Sequence, residues 1–274
     1  MIMYDAGLIP ERATDASQAF AAWQRDGASI LVTGGRTEVD LLEATHAVFA
    51  GHLLAEMPPS KVAPNPVPDQ EGYDPASRTI LANAAETLEL HDDGHRAFGD
   101  RYPDLVCLLC ARQAPEGGAS FLVDGRRLVD GITADPERTG LAHFLWEQPI
   151  DQTVPAPNSP PPPPSTRPLA ARTPEGRLSI RYFKLLEAPQ EPAGATDHLA
   201  EWVRLGREEA AAAPRFSLQP GDLLCIDNYR AFHGRDPYTG PGRLLHRVIG
   251  WTDASFGLPP GAGWVRPAVA GSPS

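Results

Sequence analysis

The sequence has few cysteines, no long apolar run and no basic stripe, and each absence excludes a class of protein. Three cysteines among 274 residues are too few, and odd in number, for a disulfide framework. No run of 18 or more apolar residues appears, so we expect no transmembrane helix. The net charge is -11 and the basic residues do not cluster, so a nucleic-acid backbone would be repelled. We therefore expect neither membrane nor nucleic-acid binding.

The N-terminus and the cysteines indicate a cytoplasmic location. Residues 1–10 lack the basic region, apolar core and small-residue cleavage site of a secretory signal. Cys107 and Cys110 form a C-x-x-C pattern, which is typical of redox or zinc pairs, but they lie in the apolar run 105–110. We interpret them as buried core residues, because thiols without cationic neighbours are inert.

Length and composition predict a single globular domain over residues 1–274. Hydrophobic residues make up 42% and charged residues 22%, as is usual for a globular protein that does not cross a membrane. Proline and glycine mark the boundaries within this domain. We expect N-terminal helix and strand elements in 1–57, proline-rich loops at 58–77 and 149–168, and a frayed tail at 257–274.

The hydrophobic pattern predicts more strands than helices. Predicted helices cover residues 15–25, 39–55, 136–148 and 198–213. Predicted strands cover residues 28–32, 87–91, 105–112, 120–123, 178–183, 223–226, 231–233 and 244–251. Strands bounded by turn residues dominate from residue 87 onward, without regular alternation of strand and helix. This order favours an antiparallel sheet pair or barrel decorated by helices.

The first candidate for chemistry is the triplet His91-Asp92-Asp93 at the end of a predicted strand. Residues two apart in an extended segment point to the same face, so His91 and Asp93 can present an imidazole nitrogen and a carboxylate oxygen to one point. Two histidines and one carboxylate on one face of an iron(II) centre leave positions free for a co-substrate and dioxygen. The triplet alone is weak evidence, because H-x-D occurs by chance in many chains and is more often a solvated turn.

The second candidate is the segment 221–235, in which a short strand turns and returns to His233. Arg243 follows ten residues later, and Arg247 four residues after that. On a strand these two arginines share a face within an apolar region, where a guanidinium is costly unless an anion accompanies it. The pattern predicts either an anion-binding site or structural ion pairs with some of the 35 acidic residues.

Together these segments resemble the taurine dioxygenase and γ-butyrobetaine hydroxylase-like family of iron(II)- and 2-oxoglutarate-dependent oxygenases. The resemblance rests on residues 226–235, the upstream His91-x-Asp93 pair and the downstream Arg243. A fourth match is Gly117-Gly118-Ala119-Ser120-Phe121, where the family has Gly-Gly-x-Thr/Ser. The clavaminate-synthase-like branch, which includes free amino-acid hydroxylases, is nearest, although it often has Glu where this chain has Asp93.

The resemblance implies a mostly β fold, with a double-stranded β-helix (jelly-roll, cupin-like) core and flanking helices. It implies that iron(II) is held by His91, Asp93 and His233. These three side chains would then be the catalytic centre as well as the metal site.

The resemblance also implies an anchor for the co-substrate. Arg243 would bind the distal carboxylate of 2-oxoglutarate, with the hydroxyl of Ser120 assisting. Arg247 would anchor either the co-substrate or an acidic group of the substrate. The charges agree: two positives from iron, one negative from Asp93 and two from the co-substrate leave −1, which Arg243 neutralises.

The implied reaction splits dioxygen, putting one oxygen atom into 2-oxoglutarate, with release of succinate and CO2, and the other onto an unactivated C–H bond. Hydroxylation of a small polar substrate, such as a free amino acid or a natural-product intermediate, is the default expectation. Desaturation or cyclisation would use the same ligands. A non-catalytic 2-oxoglutarate-binding sensor remains an alternative reading of the same residues.

Two further histidines are not expected in the metal site. His91 and His95 have the i, i+4 spacing of a helical zinc pair, as in a zinc hydrolase, but Gly94 disfavours a helix between them. We expect His95 to be solvated. His246 alternates away from the neighbouring arginines and is expected to lie outside the pocket.

Replacing Asp93 by glycine tests the ligand set that the sequence predicts. A related halogenase needs a small residue at this position to make room for chloride, so Asp93 argues against halogenation. We expect Asp93→Gly to abolish hydroxylation, measured as product formed per 2-oxoglutarate consumed. Turnover at the wild-type rate would contradict the assignment of the three ligands.

Overall fold

Helices pack on the two outer faces of the stacked β-sheets. The computed structural model describes residues 4–67, 70–151, 165–182 and 194–260. Its helices are α1 (Ala16–Asp26), α2 (Glu38–Val48), α3 (His95–Phe98), α4 (Gly125–Ala134), α5 (Thr139–Glu147) and α6 (Ala195–Ala212). Two short 3-10 helices cover Gly99–Arg101 and Pro136–Arg138.

Most of the strands pair in two sheets. In chain order the strands are β1 (Gly7–Leu8), β2 (Glu11–Ala13), β3 (Ala28–Val32), β4 (Leu53–Glu56), β5 (Ser60–Pro64), β6 (Gly72–Asp74), β7 (Thr79–Ala82), β8 (Leu88–His91), β9 (Leu105–Arg112), β10 (Glu116–Gly117), β11 (Ser120–Asp124), β12 (Ile150–Asp151), β13 (Thr166–Arg167), β14 (Ala170–Arg172), β15 (Leu178–Ile180), β16 (Asp222–Asp227), β17 (Ala231–Arg235), β18 (Tyr238–Thr239) and β19 (Leu244–Thr252). The larger sheet has the order β2-β3-β16-β9-β19-β5-β7-β6, with β4 also pairing with β19. The smaller sheet has the order β1-β11-β17-β8.

Alternation along the strands explains why the two sheets stack. Leu105 and Cys107 of β9 pack with α1 and α2, whereas Val106 and Cys110 of the same strand face the smaller sheet. Phe121 of β11 packs with the layer that contains α4, α5 and α6. Because consecutive side chains on a strand point to opposite faces, one apolar run serves two cores. The result is four layers, helices–sheet–sheet–helices, as the predicted sandwich or barrel with flanking helices requires.

The N-terminal elements form where the sequence predicts them. Helix α1 begins after Asp15, whose carboxylate accepts a hydrogen bond from the Gln18 amide, and ends at Gly27 with φ of 89°. Strand β3 covers the predicted residues 28–32. The second predicted helix, 39–55, was too long. It ends at Val48, and the last part of that stretch is β4, which pairs with β19.

Two proline-rich segments were predicted as loops, and the described parts of both contain strands. Within 58–77, β5 pairs with β19 and β7, and β6 pairs with β7, so this segment extends the larger sheet. Its described prolines lie outside the strands or, for Pro64, at a strand end, where a missing amide hydrogen is tolerated. In 149–168 the described residues include β12 and β13, which pair with each other. Residues 152–164, and the predicted tail beyond residue 260, lie outside the described part.

Helix α4 was missed in the sequence. Asp124 caps it by accepting hydrogen bonds from the amides of Arg126 and Arg127. Leu128, Val129 and Ile132 then supply its buried face. The helix adds to the layer behind the smaller sheet.

The cysteine prediction is confirmed. Cys107 and Cys110 are fully buried and belong to different cores, on opposite faces of β9. Burial raises the pKa of the Cys110 thiol to about 11. Neither thiol has the exposed, electropositive setting of a redox or zinc cysteine.

Among the described residues, no helix has both the length and the apolar character needed to cross a membrane.

Replacing Gly206 by alanine tests how tightly α6 packs against Tyr182. A Cβ at this position would lie 2.1 Å from Cε2 of Tyr182, whose hydroxyl donates a hydrogen bond to the Val203 carbonyl. We expect the free energy of unfolding to fall by about 1–3 kcal/mol through overpacking, although alanine favours a helix by about 1 kcal/mol over glycine. Urea denaturation measures the change.

Gly140→Ala is the matched control for this change, because its Cβ would meet only the imidazole of His198, at 3.0 Å. That side chain can move, so the control should be at least as stable as the wild type. Wild-type stability of Gly206→Ala would contradict the packing account.

Candidate metal centre and active site

Strand pairing brings the two predicted histidine ligands together. His91 at the end of β8 and His233 in the middle of β17 are direct partners in the antiparallel register. Directly opposed residues project to the same face, and the two ring centroids lie 4.3 Å apart. Residues 142 positions apart in the chain thus become neighbours.

The backbone around Asp93 is held by a buried amide. Asp93 follows β8, and its backbone N–H donates to Oδ1 of Asn228 at 2.9 Å. The Asn228 side chain donates in return to the Asp93 carbonyl and to the Pro103 carbonyl. On the other side, the carboxylate of Asp92 accepts from the Tyr182 amide at 3.0 Å. Asn228 and Tyr182 therefore fix the direction in which the Asp93 carboxylate points.

The ligand atoms of the three side chains converge on one point. Nδ1 of His91 lies 2.8 Å from the Glu89 carbonyl, which can only accept, so Nδ1 carries the hydrogen and Nε2 keeps its lone pair. Nε2 of His91 lies 3.7 Å from the Asp93 carboxylate, and Nε2 of His233 lies 4.0 Å from it. The candidate ligand atoms all lie within 4.8 Å of one another, and this is the one such group among the described residues. Two imidazoles and one carboxylate match the facial triad of non-haem iron(II) sites.

The electrostatics keep the site ready to bind a cation. Burial, with a contribution from His91, lowers the pKa of His233 to about 3, so its ring is neutral at physiological pH. Burial alone would raise the pKa of Asp93, but Arg247, His233 and His91 together hold it well below its usual range. The imidazole and the carboxylate are therefore in the states that donate electron pairs to a metal.

A cavity of about 250 Å³ opens over these ligands, between the two sheets. All six residues predicted for the site line it, namely His91, Asp93, Ser120, His233, Arg243 and Arg247. Most of the remaining wall is apolar, with Leu108, Leu224 and Leu245 among its residues. A cavity with apolar walls and a few convergent polar groups is the usual form of a small-molecule site.

Arg243 lies in this cavity without a carboxylate partner among the described residues. It is 4% exposed, its Nε lies 3.3 Å from the Gln113 amide oxygen, and its guanidinium lies over the Tyr238 ring at 5.1 Å. Burial lowers its pKa. The alternative that this arginine makes a structural ion pair is therefore not observed, and a buried guanidinium without a counter-ion favours binding of an anion.

Arg247 does make an ion pair, and its partner is a predicted metal ligand. Its Nη1 donates a hydrogen bond to Oδ2 of Asp93 at 2.9 Å, whereas its buried Nε has no hydrogen-bond partner. The sequence placed Arg243 and Arg247 on one strand face. The structure keeps both in the cavity, with Arg243 just before β19 and an irregular register between Leu244 and Leu245.

The Gly-Gly segment shapes the end of the cavity near Arg243. Gly117 and Gly118 have φ of 74° and 71°, a region that side chains disfavour. A Cβ on Gly117 would also lie 2.3 Å from the Pro237 carbonyl oxygen. Two glycines thus let β10 approach β18 and lead the chain to Ser120 on the cavity wall.

Sequence reasoning missed two charged residues of the cavity. Arg235 lies two positions beyond His233 on β17, so the strand period could have identified it. Its guanidinium donates to the carbonyls of Asn83 and Asp236. Glu71 reaches the cavity from the proline-rich segment, and nothing in its local pattern indicated this.

His246 lies outside the metal cavity as expected, and the backbone excludes a helical pair of His91 and His95. His91 ends β8 and His95 begins α3, so the two do not form a helical pair. Nε2 of His246 lies 3.1 Å from the Arg36 carbonyl, and His246 does not line the cavity. The zinc-hydrolase reading has no support in this geometry.

Comparison with known proteins gives a family match over most of the chain. The model of the family described as "Taurine catabolism dioxygenase TauD, TfdA family" matches residues 12–249. This range includes all six predicted site residues.

Two curated relatives are similar over shorter spans. L-lysine 3-hydroxylase of Catenulispora acidiphila is 29% identical over 225 residues, covering 75% of this chain and 53% of that protein. Clavaminate synthase 2 of Streptomyces clavuligerus is 28% identical over 195 residues, covering 65% of this chain and 54% of that protein. The chain spans about half the length of these relatives. Their similarity confirms the resemblance drawn from the motifs, including the clavaminate-synthase-like branch.

A solved structure confirms the fold. The structure of asparagine oxygenase in complex with Fe(II), 2S,3S-3-hydroxyasparagine and succinate matches with a TM-score of 0.59 and 22% identity. The match covers 86% of this chain and 78% of that chain. The predicted mostly β fold, with a double-stranded β-helix (jelly-roll, cupin-like) core and flanking helices, is therefore confirmed.

Removing one ligand tests the metal centre independently of any substrate. We expect Fe(II), added without oxygen, to raise the melting temperature of the wild type, because it binds only the folded site. His233→Ala should weaken this binding more than about 100-fold, since even residues that only support a ligand contribute about 10- to 100-fold.

His246→Gln is the control, because it changes a buried histidine outside the cavity and retains a donor for the Arg36 carbonyl. It should bind Fe(II) like the wild type. A wild-type metal affinity in His233→Ala would contradict the assignment.

Proposed function

The chain belongs to the TauD/TfdA family of dioxygenases, and on this basis we propose that it uses iron(II), 2-oxoglutarate and dioxygen to hydroxylate an unactivated C–H bond of a small polar molecule. The observation that carries the proposal is one cavity that holds both a two-histidine, one-carboxylate group and a buried arginine without a carboxylate partner among the described residues. The first fits iron(II), and the second fits an anionic co-substrate.

We propose that His91, Asp93 and His233 hold the iron. The bound metal would supply the activation of dioxygen and the oxidation of both 2-oxoglutarate and substrate. The protein contributes the ligand geometry, through the β8–β17 pairing and the clamp of Asn228 on Asp93. The apolar walls exclude water from the reacting groups.

Arg243 and Ser120 are the proposed anchors of 2-oxoglutarate. A guanidinium offers a planar fork of donors that matches a carboxylate, and Arg243 presents one at a buried position in the metal cavity. Ser120 lies on β11 and adds a hydroxyl donor to the same cavity.

Charges elsewhere in the cavity favour a free amino acid as substrate. The Arg247 guanidinium lines the cavity and can bind a carboxylate, and Glu71 supplies a carboxylate for an ammonium group. Three arginines and two carboxylates line the cavity in the described chain, so it attracts anions overall. Relatives named for the hydroxylation of lysine and the oxygenation of asparagine agree with this substrate class.

Turnover tests the proposed activity. The protein is incubated with Fe(II), 2-oxoglutarate, oxygen and a panel of free amino acids, and both succinate and products heavier by one oxygen atom are measured. The proposal expects equal amounts of succinate and hydroxylated product. Binding of 2-oxoglutarate without succinate from any substrate would contradict it and favour a sensor. Loss of hydrogen without gain of oxygen would instead show desaturation or cyclisation.

Arg243→Lys tests the co-substrate anchor while keeping the charge. Lysine lacks the planar fork of donors, so we expect the KM for 2-oxoglutarate to rise about 10- to 100-fold. The control is Arg204→Lys, because Arg204 is exposed on α6 and remote from the cavity. An unchanged KM in Arg243→Lys would contradict the anchoring role.

A further inference from the structure

A second cavity adjoins the metal cavity through a common wall. It has a volume of about 360 Å³, and Arg247 and Ile80 line both spaces. A volume of this size is within the range of about 300–1,000 Å³ that is typical of small-molecule sites. We call this second space the side chamber.

The walls of the side chamber are mainly apolar. Met57, Tyr73, Phe98 and Ile249 contribute large side chains. Two polar side chains among the described lining residues already have partners. Arg78 pairs with Glu38 at 3.1 Å, and the Ser60 hydroxyl lies within hydrogen-bond distance of the Arg247 carbonyl.

Arg247 marks the boundary between the two spaces. Its Nη1 donates to Asp93, one of the three proposed iron ligands, and its Nε is buried without a hydrogen-bond partner. A carboxylate bound to the Arg247 guanidinium would lie at the boundary between the cavity of the proposed metal ligands and the side chamber. The remainder of such a molecule would then have an apolar space available.

We propose that the side chamber receives the apolar side chain of the substrate, so that the enzyme prefers hydrophobic amino acids such as leucine, methionine or phenylalanine. This inference rests on the proposed function and specifies its substrate class. It distinguishes the chain from the relatives named for lysine and asparagine. A polar side chain would exchange water for walls that are mainly apolar, and this mismatch disfavours its binding relative to an apolar side chain.

Paired measurements test the preference. Succinate formation is measured with leucine, methionine and phenylalanine, and with lysine, asparagine and aspartate, above the rate without amino acid. Binding of the same compounds to the protein loaded with Mn(II) and 2-oxoglutarate is measured by calorimetry. We expect kcat/KM and affinity to be at least tenfold higher for the apolar group.

The two measurements separate the possible failures. A preference for lysine, asparagine or aspartate in both assays would overturn the side-chamber proposal and leave the proposed function intact. Tight binding of apolar amino acids without succinate would support the chamber and overturn the proposed function. Absence of binding by all three apolar amino acids would overturn the chamber proposal.

A variant with a large side chain at the chamber wall tests whether the substrate side chain enters the chamber. Ala97 is exposed at the chamber wall on α3, so Ala97→Phe adds a ring there without emptying the core. We expect kcat/KM to fall at least tenfold for phenylalanine and less for smaller apolar substrates. Ala211→Phe, at an exposed position on α6, is the matched control and should leave all rates unchanged. Equal effects of the two variants, or no size dependence in Ala97→Phe, would overturn the proposal.

Discussion

The pairing of β8 with β17 is the constraint on which the rest of the site depends. It sets His91 directly opposite His233, and a shift of one residue would turn one of the rings to the other face of the sheet. The third side chain, Asp93, lies just beyond the paired residues, where the Asn228 amide holds its backbone. Burial keeps His233 neutral, and the Arg247 guanidinium helps to hold the pKa of Asp93 well below its usual range. Register and burial together produce a metal-binding group.

The ionic contacts of the two arginines are explained by the position of the site. The site lies between two sheets, where a buried charge without a counter-ion is costly. Arg247 is offset by Asp93, whereas Arg243 has no described carboxylate within reach. A buried cation without an anion is a cost to the folded protein that an anionic ligand relieves. The cavity that holds the proposed iron ligands therefore favours binding of a carboxylate near Arg243. The proposed metal and the proposed co-substrate would thus bind in the same cavity.

Sequence reasoning reached those features that depend on spacing within one strand. Strand period brought His91 and Asp93 together, and the motif order identified the distant partner, His233. The same period placed Arg243 and Arg247 in one pocket, as observed, although Arg243 lies just before β19 and the register between the two is irregular. Features that depend on partners far along the chain were not accessible. In 58–77, β5 pairs with β19 and with β7, β6 pairs with β7, and Glu71 lines the cavity beside them. Helix α4 was not predicted, because it contains Gly125 and Gly131 and glycine disfavours a helix. Its first residue follows Asp124, a residue type that is common before a helix.

An anaerobic titration shows whether iron(II) and 2-oxoglutarate bind together in this cavity. The metal-free protein receives iron(II) and then 2-oxoglutarate, and the visible spectrum is recorded after each addition. We expect a charge-transfer band only after the second addition, absent in His233→Ala and weakened in Arg243→Ala, because the proposed ligands and anchor hold metal and co-substrate together. If correctly folded wild-type protein gives no band, iron and 2-oxoglutarate do not meet in this cavity and the proposed site is wrong.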